Sequence, residues 1–299
     1  MIPSGEGVVV EAQPFATVVI CTKNRKECLK KYSLSSVLAL DYPRYEVLVV
    51  DDASSDGTAP LVSLFQSTHK NLRVVRNAVS LGASRARQAG VEHARGAIIA
   101  FTDDDCLVSP AWLSELIGVH AGDPEMMAVG GFAYDRDTGN PYLTPGNIFG
   151  FNMSFRREVF LKFKFDPNLF FHRASMHEET DLVERMKRHG LKTGYAPKAI
   201  VRHFCAPADY RKINRRLGDH LNWIYMKAKA MPPGLYYLKF FKRSYQMGKI
   251  IRQLRRERVF SLVDVLKEMV WVNAVLLFGL PIKAKLAHRR EEKMFKGAA

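Results

Sequence analysis

Three consecutive aspartates, Asp103-Asp104-Asp105, close the run Gly96-Ala97-Ile98-Ile99-Ala100-Phe101-Thr102. Carboxylate oxygens are hard ligands suited to Mg²⁺ or Mn²⁺, and a divalent ion held there could grip a diphosphate. A second acidic pair, Asp51-Asp52, follows Tyr45-Glu46-Val47-Leu48-Val49-Val50 and leads into Ala53-Ser54-Ser55-Asp56-Gly57-Thr58. A third group, Glu178, Glu179 and Asp181, opens a predicted helix, where the positive end of the dipole favours ionised carboxylates. An ionised carboxylate within reach of a hydroxyl can act as a general base. Alone, the aspartate triplet reads more readily as a solvated turn or a helix N-cap, and the Glu178 group equally well as a charged first helical turn. Three of them in one chain, two at strand ends, point to a site.

The elements that must hold these carboxylates are legible from the apolar pattern. Runs of β-branched and small apolar residues at 16–21, 45–50 and 96–102 predict buried strands. Thr22-Lys23-Asn24-Arg25 follows the first of them, so three strands deliver polar side chains to one sheet edge. Helical stretches are predicted at about 29–40, 58–68 and 83–95. This alternation predicts an α/β fold with a mixed, mostly parallel sheet covered by helices. In such sheets ligands bind beyond the carboxyl ends of the strands.

With 299 residues, 47% of them hydrophobic, the chain can bury one large core or two smaller ones and is not a disordered chain. Its net charge of +15 is unevenly spread. Residues 1–200 carry 23 Lys+Arg against 23 Asp+Glu, whereas residues 201–299 carry 22 against 7. The boundary falls near residue 205. The four cysteines, Cys21, Cys28, Cys106 and Cys205, form no CxxC pair and no disulfide framework, which predicts free thiols and a cytoplasmic setting. Met1–Gly7 has no basic stretch followed by an apolar one, and no signal peptide is expected.

The order of motifs resembles that of the family 2 glycosyltransferases with the GT-A nucleotide-diphospho-sugar transferase fold. Val18–Arg25 resembles the family's first strand and nucleotide loop, and Leu40–Thr58 its second strand. Gly82–Gly90 is similar to the helix before the metal strand, with Gln88 where asparagine is common. Phe101–Asp105 fits the Asp-x-Asp metal motif. Gly150–Phe160 is similar to a segment lining the donor and acceptor side, His177–Arg185 to the Glu-Asp motif, and Tyr195–His203 to the last catalytic strand. Glu179 stands where the family usually has aspartate.

The resemblance implies a catalytic domain over 1–205, with a nucleotide-binding half at about 14–113 and an acceptor half at about 114–205. It also implies residue roles. Asp103 and Asp105 would ligate Mn²⁺ or Mg²⁺, with His203 as a third ligand and Asp104 nearer the ribose. Asp52 would accept from a pyrimidine N3–H, with Asp51 beside it, which suggests UDP or dTDP in the donor and leaves GDP open. Cys21, Thr22, Asn24 and Arg25 would border base and ribose, and Arg87 would reach the diphosphate or the metal-strand carboxylates. Glu179 would be the base of an inverting transfer, with Glu178 and Asp181 beside it, and Asn152 and Met153 would face the acceptor. The partners implied are a nucleotide-diphosphate sugar and a glycan or lipid-linked acceptor, as in cell-envelope or polysaccharide synthesis.

Residues 206–299 predict a basic α-helical C-terminal region, amphipathic over 209–260. The apolar run 269–282 spans 14 residues, short of the ~20 that a membrane-crossing helix needs. With Lys283, Lys285, Arg289 and Arg290 after it, it reads as an interfacial segment at the anionic inner face of the cell membrane. A core helix is the competing reading. Other classes fit less well. A sugar-phosphate nucleotidyltransferase opens with a glycine-rich phosphate loop, and residues 16–30 contain no glycine. A nucleic-acid-binding protein would use the basic tail but leaves the acidic strand ends without a role, so no nucleic acid is expected as a partner. No GxGxxG follows the first strand, which argues against a dinucleotide-binding dehydrogenase.

Overall fold

The computed structural model describes residues 13–135, 138–141, 148–169, 177–204, 213–229 and 286–287. Four parallel strands form one side of an eight-stranded sheet: β1 (Ala16–Thr22), β2 (Tyr45–Asp51), β3 (Leu72–Arg76) and β4 (Ile98–Asp103). Val18, Val19 and Ile20 of β1 and Val47 to Val50 of β2 are all buried. Such continuous apolar runs, in place of alternation, are what a parallel sheet covered on both faces requires. Short helical turns, α1 (Lys26–Cys28) and α2 (Ser35–Val37), flank a π-type turn at Leu29–Leu34. The longer helices are α3 (Thr58–Thr68) and α4 (Ala83–His93). Gly90 lets α4 lie directly on β1, because a Cβ there would come within 2.5 Å of Val19 Cγ1.

The remaining strands are β5 (Cys106–Val108), β6 (Met126–Asp135), β7 (Met153–Arg156) and β8 (Lys192–His203). Strand order is β3-β2-β1-β4-β7-β6-β8-β5, with β7 antiparallel to both neighbours and β5 antiparallel to β8. This order forces the sheet to curl. In a flat sheet β4 and β5 would lie about 19 Å apart, four spacings of about 4.8 Å. Only Asp104 and Asp105 link them, a reach of about 11 Å from Asp103 to Cys106. The register shift between Gly131 and Phe132, where β6 meets β8, marks the bend.

Helix α5 (Trp112–Gly122) buries Trp112, Leu113, Leu116 and Ile117, a short α6 (Val159–Lys162) follows β7, and α7 (Glu178–Arg188) precedes β8. The rings of Phe101, Phe155, Phe160 and Phe165 pack largely edge to face under β4. The predicted strands and helices appear within a few residues of their expected limits. Strand β4 begins at Ile98, not Gly96; Gly96 is pressed against the β1 backbone and donates to Thr17 Oγ1.

The chain divides into two compact units, Met1–Pro167 with Glu178–Ala206, and Asn168–His177 with Pro207–Ala299. In the second, α8 (Ile213–Lys229) buries Leu221, Ile224 and Tyr225. The rest of the predicted amphipathic region and the run 269–282 lie outside the described residues. No described helix is long and apolar enough to cross a membrane.

Candidate active site

Parallel pairing sets the strand ends level. Thr22 of β1 is in register with Asp51 of β2, and Cys21 with Asp103 of β4. The chain then turns through Asp104 and Asp105 into β5, whose first residue, Cys106, pairs with His203 at the end of β8. Ser33 clamps this turn by donating to the carbonyls of Asp103 and Cys106, and the Phe204 amide donates to the Asp105 carbonyl at 2.8 Å. Residues about a hundred positions apart are thereby held at one sheet edge.

Two arginines pair with the acidic turn. Arg25 Nη2 lies 2.7 Å from Asp105 Oδ2, and its Nη1 3.3 Å from Asp104 Oδ1. Thr22 Oγ1 donates to Asp104 Oδ2 at 2.7 Å. Arg87, buried on α4, donates from Nη2 to Asp103 Oδ1 at 2.6 Å and from Nη1 to Glu178 Oε1. Burial opposes its charge, but Glu178 and Asp103 more than compensate and hold the guanidinium firmly protonated. Arg87 therefore ties the metal-strand carboxylates to the first turn of α7.

The carboxylates differ in kind. Burial pushes Asp104 up to about 7, with Asp105 and Asp103 adding to the effect and Arg25 and Thr22 opposing it. For Asp105 burial also favours the neutral acid, but the hydrogen bond from His203 and the charges of His203 and Arg25 outweigh it, so its pKa lies below the usual value. His203 Nε2 is 3.2 Å from Asp105 Oδ1, and its ring stacks on Phe151 with centroids 4.4 Å apart. Asp105, Cys106 and His203 each present a ligand atom within 4.8 Å of the others. One oxygen, one sulfur and one nitrogen at that separation fit a divalent ion. Asp103, expected as a ligand, belongs instead to the Arg87 pair and is not in that closest group.

Asp52, expected to accept from a pyrimidine N3–H, is hydrogen-bonded within the chain. Its carboxylate accepts from Asn77 Nδ2, Ser80 Oγ and the amides of Leu81 and Gly82, all within 3.0 Å. A carboxylate has about four acceptor positions, so Asp52 is filled by its own chain. Burial would raise its pKa, but these bonds together lower it. Asp51 differs: Oδ1 accepts from the Ser54 amide at 2.8 Å, while Oδ2 has no hydrogen-bond partner, with Arg76 Nε 3.7 Å away. The open acceptor belongs to Asp51. Asn24, at φ 51°, accepts from the Ser55 amide and shapes the adjoining loop. Cys21 is held as a thiol, its pKa pushed by burial to about 12.

Among the catalytic candidates, Glu178 is buried and joined to Arg87, and its Oε2 has no hydrogen-bond partner. Asp181 is buried on α7 and paired with Arg185 at 2.8 Å. Glu179 is the part-exposed carboxylate. Its Oε2 lies 3.6 Å from where a Cβ on Gly150 would sit, and Arg87 Nη2 lies 3.1 Å from that point. Glycine at 150 keeps the space between these two groups open. Asn152 and Met153, expected on the acceptor side, are core residues. Asn152 accepts from Trp112 Nε1 and donates to the carbonyls of Phe132 and Ala199, which accounts for its whole amide. Cys106 was not foreseen, because its approach to His203 depends on strand pairing that no local pattern displays.

The family profile described as "Glycosyl transferase family 2" matches residues 17–181, more than half of the chain. The chain belongs to glycosyl transferase family 2. Over 111 residues it is 37% identical to Glycosyltransferase AglE of Haloferax volcanii, covering 36% of this chain and 36% of that protein. It is 26% identical over 170 residues to the glucosyl-dolichyl phosphate glucuronosyltransferase of the same organism, covering 49% and 54%. The chain thus spans about a third to a half of the length of these two relatives. In fold it resembles the mannosyltransferase PcManGT of Pyrobaculum calidifontis, solved with GDP-Man and Mn²⁺, with a TM-score of 0.63 at 20% identity over 96% of this chain and 86% of that one.

Proposed function

We propose that this family 2 chain transfers a glycosyl group from a nucleotide-diphosphate sugar to an acceptor hydroxyl, with inversion. The observation that carries the reading is Asp105 Oδ1 lying 3.2 Å from His203 Nε2 at an acidic strand edge whose charge Arg25 and Arg87 offset only in part. Asp105 and His203 would hold a divalent ion, Mn²⁺ or Mg²⁺. When bound, that ion supplies Lewis-acid stabilisation of the leaving diphosphate. The Mn²⁺ bound by PcManGT supports this choice.

A base N–H would reach the unpartnered Asp51 Oδ2 only once the segment covering it moves, since that side chain is fully buried, and Thr22, Asn24 and Arg25 lie at the same strand ends. Glu179 takes the proton of the acceptor hydroxyl as that oxygen bonds to the anomeric carbon. The bond from that carbon to the diphosphate breaks, and the nucleoside diphosphate leaves with its electrons. Glu178 is not assigned as the base, because it is buried and its Oε1 is taken up by Arg87. Uracil, thymine and guanine all carry an N–H donor of the kind Asp51 would accept, and PcManGT was solved with GDP-Man.

The acceptor class we favour is a lipid-linked hydroxyl at the inner face of the cell membrane. The dolichyl phosphate named for one relative supports it, as does the basic excess of residues 201–299. Sedimentation with anionic vesicles, abolished by deleting 269–282, is the expected result; unchanged sedimentation would refute the anchor. The transfer itself is tested by screening sugar nucleotides for metal-dependent hydrolysis. Activity is expected to vanish with EDTA and in Asp105→Ala. Full activity under either condition would refute the metal role.

A further inference from the structure

Asp105, the neighbouring Cys106 and His203 place three different donor atoms around one point, and a thiol is unexpected at a centre built for hard cations. In a tetrahedral zinc site, bonds of about 2.0 Å to nitrogen and oxygen and about 2.3 Å to sulfur put N and O about 3.3 Å apart and S and O about 3.5 Å apart. Here Nε2 and Oδ1 are 3.2 Å apart, and Sγ and Oδ1 3.9 Å. Closing the Sγ–Oδ1 gap takes a shift of about 0.4 Å, within a small χ1 rotation, and all three donor atoms already lie within 4.8 Å of one another. Three features hold the donors in place. Cys106 and His203 are cross-strand partners, Phe151 stacks on the imidazole, and Arg25 occupies Asp105 Oδ2 and leaves Oδ1 to the other two.

We propose that this site is selective for zinc-class cations: Asp105 Oδ1, Cys106 Sγ and His203 Nε2 bind Zn²⁺ or Cd²⁺ more tightly than Mn²⁺ or Mg²⁺. The proposal rests on the metal-site reading above and adds to it a thiolate ligand and a preference. Binding forms a metal–sulfur bond and releases the thiol proton to the buffer. Oxygen-only sites favour magnesium or manganese, whereas a thiolate with an imidazole favours zinc. Zinc bound in this way occupies the oxygen of Asp105 that a harder ion would need, so the two compete.

The test uses Co²⁺ and Cd²⁺ as spectroscopic probes on the full chain. A thiolate-to-cobalt charge-transfer band in the near ultraviolet is expected, saturating at one equivalent and erased by one equivalent of Zn²⁺. Zn²⁺ should displace bound Mn²⁺, read by the resonance of free Mn²⁺, with an affinity at least tenfold higher. Cys106→Ser should abolish the band and weaken Zn²⁺ at least tenfold, with a smaller loss for Mn²⁺. Should that variant not fold, a Cys21→Ser/Cys28→Ser/Cys205→Ser chain that keeps only Cys106 must still show the band. Mn²⁺ binding without any thiolate band overturns the proposal and leaves the metal-site reading standing. Failure to bind Mn²⁺, Co²⁺ and Zn²⁺ alike overturns both.

Discussion

Two sets of buried polar groups sit at different places in the same sheet, and they are satisfied in opposite ways. Beneath α5, Asn152 spends its amide on Trp112, Phe132 and Ala199, while His120 bonds Met126 O through Nδ1 and Ser154 Oγ through Nε2. Every partner there is protein, and the balance closes. At the carboxyl ends of β1, β2 and β4 the balance does not close. Asp51 Oδ2 and Glu178 Oε2 are buried without hydrogen-bond partners, and four carboxylates, Asp103, Asp104, Asp105 and Glu178, crowd around Arg25 and Arg87. Burying a polar atom without a partner costs roughly 1–3 kcal/mol. Asn152 and His120 leave no such atom, so the two sets of polar groups are satisfied differently.

Arg87 offers the strongest way to break that distinction, because it serves both purposes. Arg87→Met leaves Asp103 and Glu178 facing each other without their shared cation. Removing one partner of a buried ion pair costs roughly 3–5 kcal/mol, so urea midpoints should fall accordingly. Arg87→Lys restores the charge but cannot reach both carboxylates in fork geometry. It should recover most of the stability yet lose about a hundredfold in kcat with KM little changed. Recovery of both together would show that Arg87 does not set the position of α7.

Asn152→Ala tests the closed side. It strands the Trp112 indole N–H and two carbonyls in the core, and about 2–4 kcal/mol of stability should be lost. Nucleotide binding should be unchanged in the variant at temperatures where it stays folded, as isothermal titration would show. A tenfold loss of nucleotide affinity in the folded variant would place Asn152 back at the site.

His120 gives the same contrast as a pH effect. Burial, with Arg156 adding to it, lowers its pKa to about 4 from 6.5. The folded state therefore holds the neutral ring, and the unfolded chain takes up the proton first as pH falls. The stability involved is complete above about pH 6.5 and is lost as pH drops towards 4, amounting to about 3 kcal/mol at most. His120→Gln should flatten that part of the curve of unfolding free energy against pH. An unchanged slope would assign the acid sensitivity to the carboxylate edge.

These contrasts also explain what could be read in the sequence. The strands ending in Asp51 and Asp103 were legible because uninterrupted β-branched and small residues mark covered parallel strands, and acidic residues directly after them must lie at the ligand edge. Glu178 and Glu179 were legible as a helix start. Whether a polar side chain is filled by its own chain was not legible. Asn152 and Asp52 sit in motif segments as plausibly as Asp51 does, and only the loop 77–82 folding back onto Asp52 separates them. Cys106 was hidden for the same reason, since its proximity to His203 exists only once β5 has crossed to β8.

The neighbouring aspartates therefore sharpen the comparison at its finest scale. Asp52→Asn places an NH₂ group against donors from Ser80 and Gly82, or from Asn77 and Leu81, and should cost about 1–2 kcal/mol of stability. With the loop intact at low temperature, its nucleotide Kd should stay within about threefold. Asp51→Asn can keep its oxygen on the Ser54 amide at position Oδ1, but it replaces the open acceptor Oδ2 with a donor. A base N–H pointing there loses its partner, and the Kd for the nucleoside diphosphate should rise about tenfold or more, roughly 1.4 kcal/mol. Stability should change little, or improve, because a buried charge without a hydrogen-bond partner on one oxygen has been removed. The reverse pattern, with Asp52→Asn losing the nucleotide and Asp51→Asn unaffected, would mean that the 77–82 loop opens on binding and that Asp52 exchanges its four internal donors for the ligand.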